Sequence, residues 1–335
     1  MSVPNPDTVG GRPSGEGPAP TAARRVVVAV LTFRRPQDLA ELLPVLAGQC
    51  TAVEGGRRWS VHLLVVDNDP ERSGEPVCAA SGVSALRYAH EPAPGIAAAR
   101  NRALAEATGD DVLVFIDDDE RPGPDWLQRL LDTYEETGRV GVVGPVVSTF
   151  PAPLPPWVEA GRFFDRRRLA TGSLVDVAAT NNLLLDLHRV RACGVTFDPA
   201  LGLSGGSDTL FVRRLVRAEG PLVWCDEAPV TDVVPAARCT RAWVTRRAFR
   251  TGNSWSRTAV MLEPGPGPRL RRRVVLTAAG AARLVAGLLR LLAGTVPPDL
   301  GRRAAGTRTL LRGAGMIAGA WGYTYVEYRR RSRTG

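Results

Sequence analysis

Lysine is absent from this chain of 335 residues, so all 43 basic side chains are arginine. Histidine is nearly absent too, with three copies. Without lysine there is no P-loop to cradle phosphates. The first apolar run leads into TFRRP, which has no glycine, so the G-x-G-x-x-G turn of a dinucleotide fold is missing as well. The five cysteines, Cys50, Cys78, Cys193, Cys225 and Cys239, are scattered and form no C-x-x-C pair. That excludes a disulfide or zinc framework and fits a reducing, cytoplasmic setting. The first 23 residues are rich in Pro, Gly and small polar types and carry no apolar h-region. They read as a disordered lead-in rather than a secretory signal. Internal repeats are absent. So is the aromatic interleaving of single-strand binders, and no nucleic-acid partner is expected.

What is present bounds the fold. A hydrophobic share of 44% allows one large core, or one domain with an appendage. Abundant Ala, Gly and Pro beside arginine alone suggest GC-rich codon usage, so the arginine excess is discounted as a signal. Its placement still matters. Residues 1–240 hold 24 arginines against 31 acids, whereas residues 241–335 hold 19 arginines against 3 acids. An acidic body carries a basic tail, which suits an anionic surface.

RVVVAVL (25–31), VHLLVV (61–66), DVLVFI (111–116) and VGVVGPVV (140–147) read as buried strands. TNNLLLD (180–186) and LVW (222–224) are shorter candidates. A helix starts at Pro36, with Leu39, Leu42, Leu43 and Leu46 on one face. Further helices cover 95–109, 125–138 and 207–220. Alternating strands and helices predict an α/β domain with a mostly parallel sheet, whose ligands sit at the carboxyl ends of strands. Three polar clusters fall there: Thr32–Arg35, Asp67–Asp69 and Asp117–Glu120.

Each cluster has a structural and a chemical reading. If strand geometry continues, Asp117 and Asp119 share one side and Asp118 takes the other. Two carboxylates together suit Mg²⁺ or Mn²⁺, which completes its shell with phosphate and water; the alternative is a solvated acidic turn. Asp67 is either turn chemistry or a carboxylate for a base or ribose. Arg100 and Asn101 either touch phosphate and hold the acids or are surface residues. In LSGGSDTLF (203–211), Ser207 or Asp208 caps a helix, or Asp208 faces the pocket as a general base kept ionised by the helix N-terminus. A phosphoryl or nucleotidyl transferase would use similar groups, and a non-catalytic binder with a vestigial pocket is a further alternative.

Taken in order, AVLTFRRP, VVDND, EPAPGIAAARNRAL, VFIDDDERPGPDWL, GGSD and RAFRTGNS resemble the family 2 glycosyltransferases of GT-A fold. Among these the chain is most similar to bacterial exopolysaccharide transferases of the succinoglycan-biosynthesis type, from about residue 25 to 255. The resemblance implies a nucleotide-diphosphate sugar donor, with UDP-sugar first in line, a divalent cation, and transfer with inversion. It places Thr32 and Arg34 in the nucleotide pocket, Asp67 on the nucleobase and Arg100 beside the metal. Asp117, Asp118 and Asp119 form the D-x-D segment, with Asp119 the direct ligand, Asp117 its companion and Asp118 in the nucleotide-sugar site. Asp208 takes the place of the catalytic base. Two departures stand out. Ser207 replaces the Glu that often precedes that base. The segment APVTDVV lacks a metal-binding His, leaving Asp232 as a substitute. His188 matches no motif and reads as a surface histidine.

The expected layout is a lead-in over 1–23, a catalytic domain over 24–236 and a helical, Arg-rich region over 237–335. Arg283 and Arg290 interrupt the apolar stretch 274–294, and an Arg at the bilayer centre costs roughly 2.5–3.5 kcal/mol on insertion scales. Together with 309–328 and the arginines at 329–333, this predicts peripheral contact through 270–335, at the inner face of the cell membrane, over a spanning helix. A helical pair packed on the domain is the alternative. RCTRAW (238–243) only partly resembles the Q-x-x-R-W motif of processive members, so one sugar per encounter is expected. The acceptor implied is a lipid-linked glycan or cell-envelope precursor, with antibiotic glycosylation the other pathway.

Overall fold

The computed structural model describes residues 23–325. The expected lead-in, Ala23 apart, and the arginine run 329–333 lie outside the described residues. The strands in chain order are β1 (Arg24–Thr32), β2 (Trp59–Asp67), β3 (Leu86–His90), β4 (Val112–Asp117), β5 (Glu120–Pro122), β6 (Gly141–Val143), β7 (Val146–Thr149), β8 (Leu174–Val175), β9 (Asn182–Asp186), β10 (Leu222–Trp224) and β11 (Val230–Val233). The helices are α1 (Pro36–Glu54), α2 (Glu75–Ala80), α3 (Ile96–Glu106), α4 (Trp126–Thr137), α5 (Pro156–Ala160), α6 (Leu187–Ala192), α7 (Ser207–Glu219), α8 (Arg241–Met261), α9 (Pro266–Ala293) and α10 (Leu300–Ala320).

Eight strands form one sheet in the order β3-β2-β1-β4-β9-β6-β10-β8. Pairings β1–β2, β1–β4, β2–β3 and β6–β10 are parallel; β9 and β8 run against their neighbours. Strand β1 is apolar on both faces because both faces are covered. Val26, Val28 and Val30 pack with Leu39 and Leu43 of α1 and Trp126 of α4. Val27 and Ala29 alternate to the other side, with Ala97 and Ala103 of α3 and Phe211 of α7.

Residues 140–147 are not one strand. Pro145 brings no N–H to the large sheet, and its carbonyl accepts instead from Val230 at 3.0 Å. The chain therefore leaves as β6 and resumes as β7 in a second sheet, ordered β5-β11-β7. The small sheet sits just past the carboxyl end of β4, where β5 begins.

The C-terminal helices pack through glycine. A Cβ at Gly252 of α8 would lie 2.0 Å from the Arg312 carbonyl of α10, and one at Gly315 of α10 would lie 2.0 Å from that of Phe249 in α8. Gly280 and Gly287 of α9 meet Gly313 and Leu310 of α10 in the same way. Backbones this close leave room for no side chain. Asn253 ties the assembly by donating to the Tyr323 carbonyl at 2.9 Å. RAFRTGNS is thus a helix-docking segment, as well as part of the ordered motif set.

Candidate active site

Backbone register brings the polar clusters to one edge. Thr32 pairs with Asp67 across β1–β2, and Leu31 pairs with Asp117 across β1–β4. Strand β4 ends at Asp117, and Asp118 and Asp119 form a turn before β5. The alternation that put Asp118 on the far side therefore does not apply. Asp118 turns inward, is buried, and accepts from Thr32 Oγ1 at 2.7 Å and Arg35 Nη1 at 2.8 Å. It braces the turn and offers little surface to a ligand. Asp119 meets the same Arg35 Nη1 at 2.6 Å.

Arg35, not its neighbour, is the arginine of the acidic turn. Arg34 adopts a left-handed φ of 57° and swings to Asp69 at 3.0 Å and Glu71 at 3.2 Å. It clasps the loops after β1 and β2 at the rim of the site. Burial works to lower the Arg35 pKa, but Asp118, Asp119 and Asp117 outweigh it and hold the guanidinium charged.

Carboxylates outnumber cations here. Burial pushes Asp117 up to about 7, Asp119 and Asp118 add to this, and Arg100 opposes it. Glu120 is buried and raised well above the usual range by burial and by Asp117. Its Oε1 accepts from Asn181, while Oε2 is buried with no hydrogen-bond partner. Asp232 pairs in register with Glu120 across β5–β11, beside the cluster, but its carboxylate holds Arg166. Among the described residues no three His, Cys, Asp or Glu close into a ready-made metal cage. Crowded hard oxygens with an orphaned carboxylate oxygen nonetheless fit a cation that takes one or two carboxylates and draws its other ligands from phosphate and water.

Asp67, the expected nucleobase contact, braces the loop after β2. It is wholly buried, Oδ1 accepts from Asp69 N at 2.8 Å, and Oδ2 accepts from Gly74 N at 2.7 Å and Tyr88 at 3.2 Å. Both oxygens are spent on folding the loop.

Arg100 is no surface residue. It is buried, lies over the Phe197 ring at 5.5 Å, acts on Asp117, and donates to Ser207 Oγ at 2.8 Å. It thus joins the carboxylate cluster to the first turn of α7. Asn101 holds Phe197 through two bonds, at 2.8 and 2.9 Å. The N-cap of α7 is neither Ser207 nor Asp208 but Gly206, whose φ of 91° suits glycine. Asp208 falls in the first turn, and its Oδ1 accepts from Thr209 N at 2.7 Å. His188 is exposed, as expected.

Sequence reasoning placed Arg35 and Glu120 in the polar clusters without giving either a role, and it missed Asn181 and Arg166. Arg166 carried no signal, because 46 residues separate it from Glu120.

The comparisons with known proteins now bear on the same residues. The profile of the family described as Glycosyl transferase family 2 matches residues 27–186, from β1 to the end of β9. The succinoglycan biosynthesis protein ExoM of Rhizobium meliloti (strain 1021) is 33% identical over 316 residues, covering 92% of this chain and 96% of its own. Among solved structures, a mannosyltransferase of Pyrobaculum calidifontis, in complex with GDP-Man and Mn²⁺, superposes with a TM-score of 0.58 at 18% identity, covering 92% of this chain and 91% of that one. At that identity it speaks for the fold alone. A relative sharing a third of its residues along nearly the whole length leaves no room for a chance likeness of motifs, and the chain belongs to glycosyltransferase family 2, as a glycosyltransferase of GT-A fold with added C-terminal helices.

Proposed function

We propose that the enzyme moves a sugar from a nucleotide diphosphate to a hydroxyl of a lipid-linked glycan, with inversion and with Mg²⁺ or Mn²⁺, one sugar per encounter. UDP-sugar is the donor class we favour. The observation that carries this reading is Arg100, which links the carboxylates at the end of β4 to the helix turn bearing Asp208. The carboxylate assigned to the diphosphate's cation feels the Arg100 charge, and the residue next to the assigned base is hydrogen-bonded to the same guanidinium.

Asp119, with Asp117, would hold the cation, and Glu120 adds negative charge behind them. When bound, the cation supplies Lewis-acid stabilisation to the departing diphosphate. Asp208, in the first turn of α7, accepts the proton of the attacking hydroxyl. Thr32 and Arg35 fix the acidic turn through Asp118, while Arg34 lines the rim on the nucleotide side. General base catalysis is worth about 10²–10⁴-fold. Asp208→Asn is expected to bind donor normally and lose transfer by that factor; unchanged turnover would remove Asp208 from the role. A panel of nucleotide sugars with Mn²⁺, scored for slow hydrolysis and thermal stabilisation, identifies the donor.

A membrane-facing location suits a lipid-linked acceptor. Helix α9 is long and apolar enough to cross a membrane by length and composition, its most apolar 18 residues having a mean hydropathy of 1.7. Its flank of Leu276, Gly280 and Gly287 is buried, while Leu270, Val274, Val285, Leu288 and Leu292 form a stripe at least half exposed. Helical spacing places Arg283 and Arg290 off that stripe, on a side flank. The apolar face is therefore continuous and points away from α10. This favours α9 lying in the cytoplasmic interface, with α10 between it and the catalytic domain.

A further inference from the structure

Away from the catalytic edge, α7, α8 and α9 enclose a groove of about 270 Å³. Arg213 and Arg217 of α7 and Arg272 of α9 converge on it, with Trp255 of α8 forming a wall. The glycosyl-transfer machinery uses none of them. Arg213 lies 3.9 Å over the Trp255 ring and donates through Nη1 alone, to Thr258 Oγ1 at 3.0 Å and the Trp255 carbonyl at 3.3 Å. Arg217 donates to the Leu262 carbonyl at 2.6 Å and stands 3.6 Å from Glu263. The Nε of Arg272 is buried and has no hydrogen-bond partner.

The charge is not balanced locally. Asp176 lines the groove and Glu263 sits beside Arg217, but neither forms an ion pair with Arg213 or Arg272 among the described residues. Burial, with Arg272 and Arg217 repelling, pushes Arg213 down to about 10. Gathering three guanidinium groups costs free energy that an anion recovers, and guanidinium forks match phosphate oxygens well.

We infer that this groove binds the phosphate headgroup of an anionic membrane lipid. The inference rests on the membrane-facing reading of α9. Val275, three residues on from Arg272 and on the same side of α9, is 50% exposed, and Trp255, which walls the groove, is 37% exposed. A headgroup seated on Arg272 therefore has an apolar surface for its acyl chains alongside. Helix α9 contains no acid, and Arg271 and Arg273 flank Arg272. The groove is too small for a whole nucleotide sugar but suits a phosphate with a short polar substituent.

The test uses the full chain and three probes: vesicles of phosphatidylcholine with phosphatidylglycerol, soluble dihexanoyl-phosphatidylglycerol, and inorganic phosphate. The variants are R213Q/R272Q, and R302Q/R303Q as a control that removes the same charge from α10. Thermal melting confirms that both fold. R213Q/R272Q is expected to weaken vesicle and short-chain lipid binding by roughly tenfold or more, with the control changing short-chain lipid binding less than twofold. Equal loss in the two variants would show diffuse attraction and overturn the groove. Binding of inorganic phosphate as tight as that of the lipid would overturn the lipid assignment. If wild-type protein ignores the vesicles yet holds the short-chain lipid through these arginines, the membrane reading fails and the groove stands. If vesicles bind but R213Q/R272Q binds them equally, the groove alone fails.

Discussion

Replacing Arg100 by Met separates the brace from the base it supports. The substitution removes a charge-assisted hydrogen bond to Ser207, worth about 1.5–3 kcal/mol, and a cation–π contact with Phe197, worth about 0.5–1 kcal/mol. It also removes an Nε that is buried without a partner, a relief of about 1–3 kcal/mol. The two sides nearly cancel, so the expected net loss of stability is about 1 kcal/mol. Ser207→Ala is expected to cost more than that, since it leaves the Arg100 charge buried with one partner fewer. Catalysis should respond oppositely to stability. Asp208 sits one residue beyond Ser207, and a misplacement of about 1 Å can cost 10²-fold in rate. The R100M enzyme should therefore lose roughly tenfold to hundredfold in kcat with donor KM little changed. Asp117 also loses the cation that opposes its crowding, so Mn²⁺ should bind a few-fold more tightly. Melting curves, steady-state kinetics and a Mn²⁺ titration measure all three. Wild-type kcat in R100M, or Mn²⁺ affinity that falls, would refute the brace.

Asp119→Asn should abolish the Mn²⁺ dependence of donor hydrolysis, and EDTA should do the same to the wild type; hydrolysis that persists in EDTA would argue against metal use. Asn182→Ala strands the Trp126 indole N–H and the Ala228 carbonyl, bonded at 2.9 and 2.8 Å, and takes one of two donors from the Pro145 carbonyl, and it should cost about 3–5 kcal/mol in urea unfolding. Gly315→Val drives a side chain into the Phe249 carbonyl and should cost at least about 1–3 kcal/mol, read as a lower melting temperature. Asp at both Leu288 and Leu292 should release the enzyme from anionic vesicles while leaving transfer to a soluble acceptor intact, and retained vesicle binding would count against α9 as the contact face.

The strands of the catalytic half were legible because burial on both faces leaves long β-branched runs, as in Val26–Val30. Strand β3 was not, since of Leu86–His90 only Ala89 is buried and the pattern resembles a surface loop. The family and the enzyme class were legible because ordered motifs sit at strand ends that the fold must bring together. The inward turn of Asp118 was hidden by the assumption that β4 continues. The exchange of Arg35 for Arg34 was hidden because it depends on one residue taking a left-handed φ. Arg283 and Arg290 say less along the chain than around the helix: in sequence they break the apolar run, while helical spacing leaves its outer face whole.

The site's economy of charge follows from the same local facts. Strand β4 must end where the large sheet gives way to the small one, and that junction forces Asp117, Asp119 and Glu120 together beside Asp232 of β11. Arg35, Arg100 and Arg166 each reach in from a different segment, so no single loop can relax the crowding by moving. Their partners differ: Arg35 holds the turn, Arg100 holds α7 and Arg166 holds β11. Asp117 and Glu120 are left with the least compensation. A fold selected for stability alone would give Glu120 Oε2 a partner or use an apolar side chain of similar volume, since a buried carboxylate oxygen without a hydrogen bond has no structural return. The residual negative charge is thus best understood as reserved for a ligand, which is why metal removal, more than any single arginine substitution, is expected to silence the enzyme.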